Sequence, residues 1–299
     1  MMYKIQFNKF YKVFNFISSA LILLSIVFLL FKGLNYGVDF KGGTLIELRT
    51  SKDNTNISDI RSAFNQLNLG DVTVKQFGNN NDYIVKFEKK ENNNVKFISE
   101  IKNKLNNKLG EDLDFRRVEN VGPKVSAELF KSGIIAIALS LSAMLVYIWI
   151  RFEWQFSLGA ILALFHDVII TLGIFSFFSL EINLSIVAAI LTIVGYSMND
   201  TVVIYDRVRE NLKKHADIKI FELTNISINE TLSRTIITSI TTLLALITIF
   251  LFGGEILKGF SLAMILGVVF GTYSSIYIAN PALVYLKVSQ RTVLKEDKD

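Results

Sequence analysis

A bundle of six transmembrane α-helices carrying one extracytoplasmic α+β domain of the ferredoxin-like kind is the fold this sequence predicts, and three observations predict it. Of its 299 residues 51% are hydrophobic, mean hydropathy is +0.40 and only two are proline, which is too apolar for a soluble chain of this length. Six apolar runs are long enough to cross a bilayer. The segment 32–131 departs from that apolarity and alternates strand and helix patterns. The net charge of +5 does not indicate nucleic-acid binding, because Lys and Arg gather at the ends of the apolar runs rather than along one amphipathic stripe. With no cysteine there is no disulfide framework, thiolate metal site or cysteine nucleophile.

The first apolar run, 13–31, holds 19 uncharged residues behind Lys4, Lys9 and Lys12. It exceeds a signal-peptide core and lacks a small-x-small exit, so residues 1–31 read as a short N-terminal segment and a retained first span. Runs 132–150, 154–180, 182–205, 235–254 and 259–286 supply the other five, in a region 132–286 followed by a tail, 287–299. Six spans put both termini on one side. The short segments on that side hold Arg151, then Arg207, Arg209, Lys213, Lys214, Lys219 and Arg234, then Lys287, Arg291, Lys295 and Lys298. The opposite short connections hold only Glu181, Glu255 and Lys258, so the basic side is cytoplasmic, with both termini there. The polar segment 206–234, with partial apolar periodicity from Ile218, Phe221, Leu223, Ile226 and Ile228, reads as an interfacial helix along the membrane surface.

Within 32–131, residues 44–49 and 72–76 alternate like strands, and Ile57, Ile60, Phe64 and Leu67 between them keep the spacing of an amphipathic helix. The pattern repeats as a strand over 83–87, a helix face of Val95, Ile98, Ile101, Leu105 and Leu109, and a strand over 113–121. That order, β-α-β-β-α-β, is the split arrangement of ferredoxin-like domains. Gly122-Pro123 breaks the last strand, and 124–131 reads as a short helix leading to the second span.

The chemistry centres on Asp200, an acid inside an apolar run. A carboxylate in mid-span costs about 2.5–3.5 kcal/mol on insertion scales, so such residues turn to a partner helix or a watery path. Tyr196, Ser197, Asp200, Ile204 and Arg207 share one helix side, with Asn199 adjoining. The two readings are a proton-exchanging carboxylate and a polar contact that joins helices. His166 and Asp167, midway along the third span, are either a relay for Asp200 or a contact to Ser, Thr or Asn of a neighbouring helix. As a metal-dependent phosphohydrolase dyad they lack ligands, since the second histidine is His215, and no metal is expected. A hydrolase elbow at Gly195-x-Ser197 fails because Asn199 stands at its last glycine. No Walker lysine loop or dinucleotide fingerprint is present, which leaves the membrane potential and proton gradient as the energy source. The chain reads as no enzyme and as needing no cofactor. After the first span, Asp39, Gly42 and Gly43 lie where glycine lets the chain turn sharply into the first strand. Gly267 and Gly271 permit close helix approach in the last span.

Six blocks in order, VDFKGGT (38–44), VGPKVSAEL (121–129), FHDVIITLGIF (165–175), GYSMNDTVVIYDRVRE (195–210), INETLSRTIITSITTLLAL (228–246) and GTYSSIYIANP (271–281), resemble the SecD/SecF family of bacterial protein-export membrane proteins. Through it they are similar to the resistance-nodulation-division superfamily. The resemblance covers nearly the whole chain. It implies an inner-membrane subunit that uses the proton-motive force to promote translocation of exported polypeptides through the SecYEG channel. It further implies a heterodimer with SecD, with YajC and YidC as further partners. In the family the acid of the fourth span and the arginine of the L-S-R-T block serve the proton route, here Asp200 and Arg234, expected as a charge-coupled pair; Asp167, read above as a candidate relay, is a further expected member of that route. Asp39, Gly42 and Gly43 fall in the family motif at the junction of first span and periplasmic domain, and Met198 stands where many relatives carry Ile or Val. Two rival functions are a small-molecule or lipid exporter half of the same superfamily, which needs two six-span halves, and a non-conducting scaffold subunit.

Overall fold

The structure, a computed structural model, describes residues 5–51, 55–88, 95–215 and 217–294. Lys4, Lys295 and Lys298 of the charge pattern, and the side chain of Val95, lie outside the described residues. In chain order the main elements are α1 (Tyr11–Phe31), β1 (Gly43–Thr50), α2 (Ile57–Asn65), β2 (Val72–Gln76), β3 (Asp82–Phe87), α3 (Val95–Leu109), β4 (Leu113–Val121), α4 (Pro123–Arg151), α5 (Trp154–Phe177), α6 (Leu184–Lys214), α7 (Ile220–Phe252) and α8 (Gly254–Ser274). A π-helical turn, Ser275–Ala279, joins α8 to α9 (Asn280–Tyr285), and α10 (Gln290–Leu294) follows. The chain forms two units, one from 1–35, 135–181 and 185–299, the other from 36–134 and 182–184.

Six helices are long and apolar enough to cross a membrane, and the chain is a multi-pass helical membrane protein. In the helical unit, α1, α4 and α7 present large apolar side chains outward, among them Phe16, Leu23 and Leu30, Leu139 and Trp149, and Ile237, Leu244 and Leu251. Such faces suit lipid, which asks no polar partner of them. α5, α6 and α8 form the inner set, about half of each apolar window being buried. Small residues allow their close approach to one another and to α1. A Cβ on Gly267 would stand 2.2 Å from Ile193, one on Gly271 would stand 3.0 Å from Ser197, and one on Gly173 would stand 2.3 Å from Ser25.

The two prolines sit where helices tolerate them. Pro123 opens α4, where its missing N–H would have had no partner. Pro281 lies in the first turn of α9 and cannot bond the carbonyl four residues back, so the preceding helix widens into the π turn. Two side chains take up carbonyls of that turn: the Tyr205 hydroxyl donates to Ala279 O at 2.8 Å, and Asn280 Nδ2 donates to Ser275 O at 2.7 Å.

The segment 206–234 corrects the expectation of a separate interfacial helix. α6 continues to Lys214, and α7 already begins at Ile220. Neither stretch holds a glycine or proline to stop a helix, and their polar side chains face one another. Asn211 Nδ2 donates to Ser227 Oγ at 3.0 Å and to Glu230 at 2.7 Å, and Arg207 pairs with Glu230 at 2.7 Å. The same extension of α6 meets the α4–α5 corner, where Arg151 pairs with Asp206 at 2.7 Å and Arg209 with buried Glu153 at 3.1 Å. Likewise 124–131 is no separate helix, because α4 runs unbroken from Pro123 to Arg151.

The second unit holds a four-stranded antiparallel sheet of order β2-β3-β1-β4. Alternation places Ile46, Leu48, Val74, Val85 and Phe87 on one face, where Ile60 and Phe64 of α2 and Ile101 and Leu105 of α3 complete a single core. The other face carries ion pairs, most of them across strands. Arg49 grips Asp82 with two bonds of 2.6 and 2.7 Å, and Arg117 pairs with Glu47 at 3.2 Å and with Glu119. The Arg49 guanidinium holds the Asp82 carboxyl below its ordinary value of 3.8.

Candidate functional site

Two polar clusters lie among the apolar inner helices. The first surrounds Asp200, which α6 places on its buried side, 3% exposed. Its Oδ2 accepts from Thr272 Oγ1 of α8 at 3.3 Å, and Thr272 Oγ1 in turn meets Ser239 Oγ of α7 at 2.8 Å. Three helices thus converge on one acid. The Thr272 hydroxyl is the acid's sole hydrogen-bond partner among the described residues. Arg234 is exposed on α7 and forms no contact ion pair with Asp200. The expected charge pair is therefore open here.

The second cluster surrounds His166 and Asp167 of α5, both buried. Asp167 Oδ1 meets His166 Nδ1 at 2.8 Å, and Oδ2 accepts from Ser197 of α6 at 2.6 Å and Ser274 of α8 at 2.8 Å. His166 Nε2 meets Ser18 Oγ of α1 at 3.2 Å, and the ring stacks with Tyr273 at 5.8 Å. Asp167 does not touch Asp200. The clusters instead occupy neighbouring turns of the same two helices: Ser197 and Ser274 serve one acid, Asp200 and Thr272 form the other. Gly271 makes this possible, since Ser197 packs where its side chain would be.

The remaining expected residues fall elsewhere. Tyr196 lies beside Ser197, and its buried hydroxyl has no hydrogen-bond partner among the described residues. Asn199 is exposed, on a stripe with Ala188, Thr192 and Gly195 along one face of α6. A Cβ at Gly195 would meet nothing within 4 Å. This outward stripe of small and polar residues differs from the Leu, Ile and Phe that α1, α4 and α7 turn outward. In the other unit Asp39 Oδ2 accepts from the N–H of Leu184 at 2.9 Å, the first residue of α6. Gly42 and Gly43 have φ of +78° and +121°. A Cβ on Gly43 would lie 2.7 Å from the Phe87 carbonyl, so glycine here admits β1 between β3 and β4. Among the described residues no group of three or more His, Asp or Glu could hold a metal ion.

Sequence reasoning did not single out Ser18, Ser239, Thr272, Tyr273 or Ser274. Their one signal was polarity inside an apolar run. That signal is weak, because Thr192, Thr201, Thr241 and Thr248 spend theirs on the carbonyl four residues back.

A polytopic helical membrane protein with acids buried among its inner helices and one α+β insertion after its first helix is the class that this fold and site define. The model of the protein export membrane protein SecD/SecF C-terminal region matches residues 101–289, and that of the SecD/SecF GG motif matches residues 27–53. The chain belongs to the SecD/SecF family of protein-export membrane proteins. It is 45% identical over 279 residues to the protein translocase subunit SecF of Rickettsia bellii, covering 93% of this chain and 92% of that one. It is also 45% identical to the SecF subunit of Rickettsia felis, covering 93% and 90%. The solved SecDF of Thermus thermophilus, a translocon-associated membrane protein, matches with a TM-score of 0.85 at 34% identity over 95% of this chain. SecDF in its super-membrane-facing form matches with a TM-score of 0.71 at 33% identity. This chain spans 39% and 41% of those two solved chains. The matched GG motif contains Gly42 and Gly43, whose geometry accounts for two adjacent glycines.

Proposed function

We propose that this chain is the SecF-type half of a proton-driven accessory to protein export, working in the bacterial inner membrane beside the SecYEG channel. Its ferredoxin-like α+β unit is extracytoplasmic and both termini are cytoplasmic, in keeping with the basic residues at one end of the spans. Asp200 takes up and releases the proton, and Arg234 supplies the counter-charge when the helices bring it closer. The single observation that carries this reading is the position of Asp200: it is 3% exposed in mid-helix, with a hydroxyl as its sole hydrogen-bond partner among the described residues. An acid kept only as structural glue would be expected to have its bonding capacity filled, as Asp167 has. A proton crossing a potential of 100 mV releases about 2.3 kcal/mol, enough for a few protons to bias two packings of the bundle.

The stripe Ala188, Thr192, Gly195 and Asn199 is the surface for a SecD partner. An exposed amide at membrane depth is costly against lipid and favourable against another helix. The solved SecDF chains, more than twice as long as this one, support that pairing. The test is gradient-stimulated export in vesicles carrying Asp200→Asn, with protein level and SecD association verified. Loss of the gradient-dependent part is expected. Full stimulation in the variant would leave the chain a non-conducting scaffold.

A further inference from the structure

His166 and Asp167 belong to a hydrogen-bonded chain whose protons can be counted. At its far end the Tyr273 hydroxyl lies 2.9 Å from the Phe14 carbonyl, and at 2.8 Å it meets Ser18 Oγ. A carbonyl only accepts, so the one Tyr273 proton points to Phe14. The Ser18 contact must then use the Ser18 proton. With that proton spent, the 3.2 Å contact between Ser18 Oγ and His166 Nε2 requires hydrogen on Nε2. One more proton must lie between Nδ1 and Asp167 Oδ1, 2.8 Å apart.

The count is two protons on imidazole and carboxyl together, whichever atom holds the one between them. The pair is neutral as imidazolium with carboxylate or as imidazole with carboxylic acid. A second observation agrees. Both side chains have 0% exposure and no Lys or Arg touches them among the described residues, so a lone carboxylate beside neutral imidazole would be an unpaired charge deep in the bundle. The neighbours on every packed helix are uncharged: Ser18 on α1, Ser197 on α6, and Tyr273 and Ser274 on α8.

We propose that His166 and Asp167 hold one proton between them at a site separate from Asp200, and that the complete set of contacts tying α1 to this cluster, through Ser18 and Phe14, depends on that proton. If it leaves, the carboxylate draws the remaining ring proton to Nδ1, and Nε2 faces Ser18 bare. Ser18 can then donate to Nε2 and still accept from Tyr273 only if the Tyr273 proton turns away from the Phe14 carbonyl, so one of the contacts that α1 makes in this chain is lost. This holds whether or not the chain drives export, since it concerns only these contacts.

The test uses the full chain in lipid nanodiscs with ¹⁵N-labelled histidine. His215→Gln leaves His166 as the sole histidine of a chain that has two. Ring-nitrogen NMR separates protonated from bare nitrogen. At neutral pH a protonated Nε2 is expected, and a bare Nε2 with Nδ1–H overturns the proposal. Tyr273→Phe keeps the ring stacked on His166 and removes the hydroxyl, freeing the Ser18 proton to turn to Nε2. A rise in bare Nε2 is expected in that variant. A signal indifferent to it overturns the wiring and with it the dependence of α1.

Discussion

Replacing Gly43 by alanine separates a positional demand for glycine from mere membership of a motif. The residue has φ of +121°, and an added Cβ would stand 2.7 Å from the Phe87 carbonyl, nearer than the 3.0 Å below which real Cβ contacts are essentially not found. The obstacle is backbone of the paired strand, since Thr44 and Phe87 are register partners, so no side-chain rotation can relieve it. Strain of this kind costs roughly 1–3 kcal/mol. At about 1.4 kcal/mol per tenfold, that is an increase of about 5- to 150-fold in the opening of the sheet. Hydrogen exchange of the full chain in detergent, followed by mass spectrometry of peptides from β1 and β3, reads that opening directly. Gly122→Ala is the control, because a Cβ there meets nothing within 4 Å. Its exchange should be unchanged or slightly slower. If Gly43→Ala exchanges like this control, the steric account of the adjacent glycines is wrong.

Two further outcomes follow from contacts in each unit. A Cβ on Gly159 would lie 2.3 Å from the Tyr205 hydroxyl, which is held by Ala279 O. Gly159→Ala should cost about 1–3 kcal/mol by overpacking, and Tyr205→Phe about 0.5–1.5 kcal/mol by loss of a buried hydrogen bond. The double variant should melt above the additive expectation, because removing the hydroxyl relieves the closest of the methyl's contacts, leaving those to Ala279 O at 3.0 Å and Ala282 Cβ at 3.1 Å, and simple additivity would count against the contact. For the sheet, Asp82 is an acid lowered by Arg49, so its contribution is full above pH 3.8 and lost as pH falls through its folded value. Acid unfolding of the α+β unit should therefore shift to higher pH and lose steepness in Asp82→Asn, measured by exchange of β3 peptides.

The α+β unit was legible in outline because its sheet has one covered face. Alternation over 72–76 and 113–121 meets β2 and β4 at both ends. Helix ends were less legible. Residues 206–234 look like surface sequence by charge, yet their polar side chains bond across to each other, through Asn211, Ser227 and Glu230, and the helices simply continue. Asp200 stood out because a carboxylate in an apolar run has few uses. Its partner Thr272 did not, because a hydroxyl in a helix can satisfy itself on its own backbone, and only the register of α8 against α6 shows which ones reach across. Arg234 was placed by sequence at the opening of a span, whereas α7 had begun 14 residues earlier, at Ile220.

The unbroken length of α6 has a mechanical consequence. Lys214 is 14 residues beyond Asp200 on one helix, or about 21 Å of rigid rod. A tilt of roughly 10° pivoting near the acid would sweep that tip by about 3–4 Å. The bonds from Arg207 and Asn211 to Glu230 would carry the start of α7 along with it. α8 is unlike α6 in this respect, since its π turn, four residues past Gly271, is a place where a helix can give. A displacement of a fraction of an ångström at a carboxylate would be absorbed within one helix and amplified by its neighbour.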